Sequence, residues 1–209
     1  MLALAAYTLS LLVYQPALVP PGPVGSCYPS VIGLDTSCVN NSAGAYLGEA
    51  IGQTFTATST LIRRITVWRV AYQANYQTGV HLFILNTDSL GAPDVRPRLL
   101  DGPVVTALGD GEHPVRIDFL FDPPFQLPGP GIYCIALQAS PCSGIWDLVA
   151  DSDGHYPDGS FWGFSRSDCF LRDFPQNYPG ADLIFEVEFC DMVTPTRGTT
   201  WGELKVHYR

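Results

Sequence analysis

The sequence predicts an all-β fold, a two-sheet antiparallel β-sandwich of jelly-roll type, and three observations carry that expectation. Val, Ile, Phe, Tyr and Trp recur in short runs that alternate with polar residues, the period that puts every second side chain on one face of a sheet. Turn-forming residues separate those runs. The 209 residues include 20 Gly and 18 Pro, above average usage, and both residues end strands for backbone reasons. No long apolar stripe at helical spacing follows the N-terminus. With 46% hydrophobic and 15% charged residues, the chain can fill one core between two sheets.

Taken in order, Met1 to Tyr14 (MLALAAYTLSLLVY) is apolar and uncharged. It is shorter than the ~20 residues a membrane-spanning helix needs. Residues 1–26 therefore read as a signal-peptide-like segment and a Pro/Gly-rich lead-in, although no Lys or Arg precedes the apolar stretch. VGSC, ending at Cys27, resembles a lipoprotein processing site. Residues 27–190 read as the sandwich domain, its stretch up to about residue 45 still an extended lead-in rich in Pro, Gly, Ser and Asn. Asn40-Asn41-Ser42 forms a glycosylation sequon within it.

Strand signals then follow one another. Gln53–Ala57 comes first, then Leu61–Val70, with Ile65 and Val67 on one face and Thr66 and Trp68 on the other. Val80–Leu85 is apolar on both faces apart from His81, as a central strand would be. Asn86–Pro97 has the Asp, Gly and Pro density of a loop, and Val104–Ala107 is a short strand. His113–Phe121 alternates Val115, Ile117 and Phe119 against Arg116 and Asp118. Pro123, Pro124, Pro128 and Pro130 read as a stiff turn before Ile132–Ala139. Gly144–Val149, Ser160–Phe164 and Asp182–Cys190 complete the set, the last with Phe185, Val187 and Phe189 inward and Ile184, Glu186 and Glu188 outward. Residues 191–209 change composition and read as a C-terminal tail outside the sandwich.

The net charge of −9 would repel a polyanion, which argues against nucleic acid as a partner. The six cysteines, Cys27, Cys38, Cys134, Cys142, Cys169 and Cys190, form an even set in a chain that reads as exported, the pattern of a disulfide framework. The first pairing expected is Cys27 with Cys38, a short loop whose closure would add about 3 kcal/mol in the chain-entropy account. Zinc is disfavoured because no C-x-x-C or paired Cys/His spacing occurs.

Five segments together resemble a broader family. GQTFTA followed by LIRRITVWRV, then LPGPGIYCIAL, DSDGHYPDGSFWGF and ADLIFEVEF, spread over residues 48–190, are similar in order to jelly-roll or galactose-binding-like modules of bacterial extracellular proteins, carbohydrate-binding modules among them. The resemblance implies a lectin-like sandwich, a structural calcium near the first and last strands, and a sugar site built from aromatic rings. The calcium would draw on Glu49 and Asp182. Exposed aromatic faces stack on sugar rings, and Trp68, Tyr72, Tyr156 and Trp162 are the candidates. The plainer readings are solvated acids at strand ends and aromatics that cover a sheet.

Other chemistry is weakly signalled. Asp151, Asp153 and Asp158 in DSDGHYPDG have the look of a calcium loop, but the twelfth position, where an EF-hand needs glutamate, is Trp162. His81, His113, His155 and His207 are scattered, and neither G-x-S-x-G nor H-E-x-x-H occurs. Glu186 and Glu188 share a strand face about 7 Å apart by strand rise, the one arrangement a glycosidase could use. The sequence thus points to a secreted or surface-exposed, non-catalytic binding module, with an extracellular glycan or another cell-surface component as partner. A structural or adhesive surface domain is the alternative, and a glycan-directed hydrolase the third reading.

Overall fold

The computed structural model describes residues 27–46, 48–71, 78–164, 169, 171 and 175–192. The signal-peptide-like segment, the side chain of Cys27, Tyr72 and the tail beyond residue 192 lie outside that description. Thirteen strands run through the described residues: β1 (Cys27–Leu34), β2 (Asn41–Tyr46), β3 (Ala50–Ala57), β4 (Leu61–Arg69), β5 (Gly79–Thr87), β6 (Pro93–Val105) and β7 (Val115–Gln126). They continue as β8 (Gly131–Ser140), β9 (Ile145–Asp151), β10 (Phe161–Phe164), β11 (Gln176–Tyr178), β12 (Asp182–Leu183) and β13 (Phe185–Met192). Among the described residues no helix is long and apolar enough to cross a membrane.

The strands form two antiparallel sheets, as the alternation predicts. One has the order β1-β13-β4-β9-β12, with β7 on β4 and β2 on β9; the other has the order β11-β10-β3-β8-β5-β6. Val80–Leu85 lies within β5, which is flanked by β8 and β6. The position is interior rather than central, one strand in from the edge strand β6. Phe55, Leu82, Ile84, Ile135 and Leu137 from one sheet meet Ile65, Val67, Phe119, Phe185 and Phe189 from the other, and all are buried.

The second sheet is covered on its outer face as well. There Phe83, Leu85, Cys134, Ala136, Trp162, Phe164 and Leu171 form a smaller apolar cluster. Gly52 makes this layer possible. A Cβ at that position would come 2.9 Å from the Phe164 ring, 3.0 Å from the Cys134 sulfur and 2.6 Å from the Ile135 carbonyl oxygen. The Cys142–Cys169 disulfide, with Cα atoms 5.6 Å apart, links the turn after β8 to the segment carrying Leu171.

Four expectations need correction. The stretch before residue 45 is not a lead-in: β1 pairs with β13 from Cys27 to Leu34, and β2 pairs with β9. Edge strands tolerate the Pro, Ser and Gly that disguise them. The loop expected at 86–97 and the short strand at 104–107 are instead largely one long edge strand, β6, whose three register shifts against β5 accommodate its prolines. Pro123 and Pro124 do not end β7, because they fall in the register shift between Leu120, opposite Arg64, and Phe125, opposite Ile62. Ile184 is buried rather than outward, since the ladder breaks between β12 and β13 and the alternation restarts.

The cysteine framework differs too. Cys38 and Cys134 are free thiols, so Cys27 does not close a loop with Cys38. Cys190 is disulfide-bonded. Cys134 is fully buried, and loss of hydration pushes its thiol far above the ordinary range.

Candidate functional site

At one end of the sandwich the layer between the sheets turns polar. Gln53 occupies an inward position on β3 between Ile51 and Phe55 and has no exposed surface. Its Nε2 donates to Asp182 Oδ1 at 3.0 Å, and its Oε1 accepts the Leu183 N–H at 2.9 Å. One glutamine therefore joins β3 of one sheet to β12 of the other. The second oxygen of Asp182 accepts the Tyr156 N–H at 3.0 Å.

Register places Asp182 opposite Asp151 on β9. Asp151 is fully buried and saturated with donors. Its Oδ1 accepts Asn40 Nδ2 at 2.9 Å and the Asp153 N–H at 3.1 Å. Its Oδ2 accepts the His155 N–H at 2.9 Å, with His155 Nδ1 2.8 Å away. Asn40 closes the arrangement: its Nδ2 also donates to Asp153 Oδ2 at 2.8 Å, and its Oδ1 accepts from Ser152 N at 2.8 Å and Ser152 Oγ at 3.0 Å. The sequon asparagine thus has its amide committed to the 151–155 turn.

The two neighbouring carboxylates are tuned in opposite directions. Burial pushes Asp182 above the usual carboxylate range, and the charge of Asp151 adds to it, against the N–H donors of Tyr156 and Gln53. Burial also raises Asp151, but the N–H groups of His155 and Asp153 and the His155 ring outweigh it and hold Asp151 below that range.

Beside this network a cleft of about 300 Å³ opens between the sheets, lined by Ser42, Glu49, Asp151, Phe161, Tyr178 and Asp182 among others. Small residues from β2, Ala43 and Gly44, keep one wall thin. Tyr178 on β11 is 39% exposed, its ring centroid 5.5 Å from that of Phe161. Gly163 lets that ring lie close, since a Cβ there would sit 2.8 Å from Tyr178 Cε2.

No family model matches this chain. No curated protein matches it either. Among solved structures, it is similar to the crystal structure of the cysteine protease and lectin-like domains of Cwp84, a surface layer associated protein of Clostridium difficile, at 8% identity and a TM-score of 0.42 over 70% of this chain. A second structure, of a variant of the clostridial cysteine protease Cwp84 after propeptide cleavage, matches at 10% identity and a TM-score of 0.47 over 77% of this chain. The matches span 35% and 39% of those two chains, respectively.

The residues singled out in the sequence are placed unevenly. Glu49 and Asp182 do line one cleft. Calcium takes six to eight oxygens, and each oxygen of Asp182 already accepts one N–H donor, so Glu49 and Asp182 would supply only part of a coordination shell. Asp151, Asp153 and His155 also cluster closely enough to hold an ion, yet both oxygens of Asp151 are filled by donors; Asp158 is not in that group. Tyr156 and Trp162, each 8% exposed, offer no open ring face: Tyr156 packs edge-on against Phe185 and Trp162 belongs to the outer apolar layer. Trp68 is half-buried under the Arg116 guanidinium, 5.7 Å from the ring centroid. The aromatic candidates are thus dispersed, and the rings beside the cleft are Phe161 and Tyr178.

Glu188 is buried and ion-paired with Arg64 at 2.7 Å and Arg63 at 3.4 Å, an engagement unlike the open pair a glycosidase requires. Sequence reasoning missed Gln53, Asn40 and Tyr178. Gln53 had a visible signal, a polar residue in the inward register of GQTFTA, and such a residue needs a buried partner.

Proposed function

We propose that this chain is a non-catalytic, secreted or surface-exposed β-sandwich binding module whose ligand is a carbohydrate, held in the cleft at the polar end of the sandwich. The observation that carries this reading is the cleft itself: the exposed ring of Tyr178, backed by the buried Phe161, lines it together with the hydrogen-bonding groups of Ser42, Glu49 and Asp182. A sugar presents both an apolar C–H face and a ring of hydroxyls, and a site with rings and acceptors suits both. Each oxygen of Asp182 accepts one donor and retains a lone pair for a second. The Cys142–Cys169 disulfide supports an oxidising, extracellular compartment. This reading requires no calcium.

A glycan array tests it. Binding by the wild type that is lost in Tyr178→Ala, with the fold intact by circular dichroism, is the expected result. No binding to any glycan would leave the structural or adhesive alternative. The hydrolase reading would need turnover of a polysaccharide that disappears in Glu186→Gln.

A further inference from the structure

We infer that the ligand of the cleft is an amino sugar carrying a free ammonium group rather than a neutral or acetylated one. The inference rests on the carbohydrate reading above and narrows it. The cleft is lined by three acidic residues, Glu49, Asp151 and Asp182, and no Lys, Arg or His is among its lining residues. The three differ in what they have left to give. Asp151 is saturated by four N–H contacts. Asp182 retains one lone pair on each oxygen. Glu49, half-buried at the mouth of β3, makes no hydrogen bond or ion pair with any described residue.

An uncompensated carboxylate in a concave, partly desolvated site selects for positive charge. Donors that fit are N–H groups, which approach lone pairs one at a time. A divalent ion demands many oxygens at once. Tyr178, the exposed ring of the cleft, adds to this preference, because the negative face of an aromatic ring attracts ammonium groups. The net charge of −9 extends the same bias beyond the cleft and would draw in a polycationic glycan.

The test is calorimetric titration of the full chain with a glucosamine oligosaccharide, its fully N-acetylated counterpart and a cello-oligosaccharide of equal length. The amine should bind about tenfold more tightly than either neutral probe, and its affinity should fall as salt is raised while theirs stays level. Glu49→Gln should cost most of the amine's advantage and leave neutral binding unchanged. Equal affinity for the three probes, or an amine preference that survives in Glu49→Gln, would overturn the inference while leaving the carbohydrate reading in place. If none of the three binds, the inference fails, and the glycan array decides the carbohydrate reading separately.

Discussion

The two ends of the inter-sheet layer are held together by different physics. Around Phe55, Ile65, Phe119 and Phe189 the layer is packed from buried apolar side chains. Around Gln53, Asp151 and Asp182 it is a chain of directional bonds that reaches the surface at Asn40. Dispersion and hydrophobic burial are tolerant of small shifts, whereas a buried hydrogen-bond network is worth keeping only when each member is satisfied. The cleft sits at the second end. The proposed carbohydrate site thus lies where the fold is least forgiving of a missing partner.

The sharpest way to break this contrast is to cut into each end separately. Phe55→Ala should cost about 3–5 kcal/mol, the loss of a fully buried aromatic plus the cavity it leaves, read by denaturant unfolding. Gln53→Ala should cost about 2–4 kcal/mol although it removes far less apolar area, since it strips a donor from buried Asp182 and leaves the Leu183 N–H without its acceptor. A Gln53→Leu, Asp182→Leu double variant should lose less than the sum of its single changes; strict additivity would mean the network is not a unit. Asn40→Ala should cost about 1–2 kcal/mol, being at the exposed margin of the same network.

Acid titration separates the two carboxylates. Asp182 has a folded pKa above its ordinary value of 3.8, so its contribution is fully present below 3.8 and is lost as pH rises through the folded pKa. Asp151 has a folded pKa below 3.8, so its contribution is present above 3.8 and is lost as pH falls through the folded value. Melting curves against pH should therefore show a gain on mild acidification that is absent in Asp182→Asn. They should also show a loss below pH 3.8 that is reduced in Asp151→Asn. The smallest expected effect is that of calcium: millimolar calcium or EDTA should leave the melting temperature unchanged, and a rise that vanishes in Asp182→Ala would place the ion with Glu49 and Asp182 after all.

The apolar end was legible in the sequence because its signal is local. Phe55, Ile65, Val67, Val115, Ile117 and Phe119 alternate within single strands, and alternation alone assigns their face. The polar end was not, because its partners are distant: Asn40 and Asp151 are 111 residues apart, and Gln53 and Asp182 are 129 apart. No periodicity reports such a meeting. β1 and β2 were hidden for a related reason: NSAGAY carries little apolar surface, and Pro29, Ser30 and Gly33 interrupt the apolar residues of CYPSVIGL. Asp182 and Glu49 stand out by resemblance rather than by spacing. The Cys142–Cys169 pairing depended on the turn after β8 meeting the segment after β10, which the spacing of cysteines does not encode.

The free thiols carry a practical consequence. Cys134, sealed within the outer layer with its ionisation suppressed, should resist alkylating reagents, because only the thiolate reacts. Cys38 is partly exposed on the 3₁₀ turn between β1 and β2, two residues from Asn40. Of these two thiols, Cys38 alone would take up a fluorophore while the protein stays folded. A dye there would sit beside the one asparagine that stitches the rim together, an optical gauge of whether the polar end is closed.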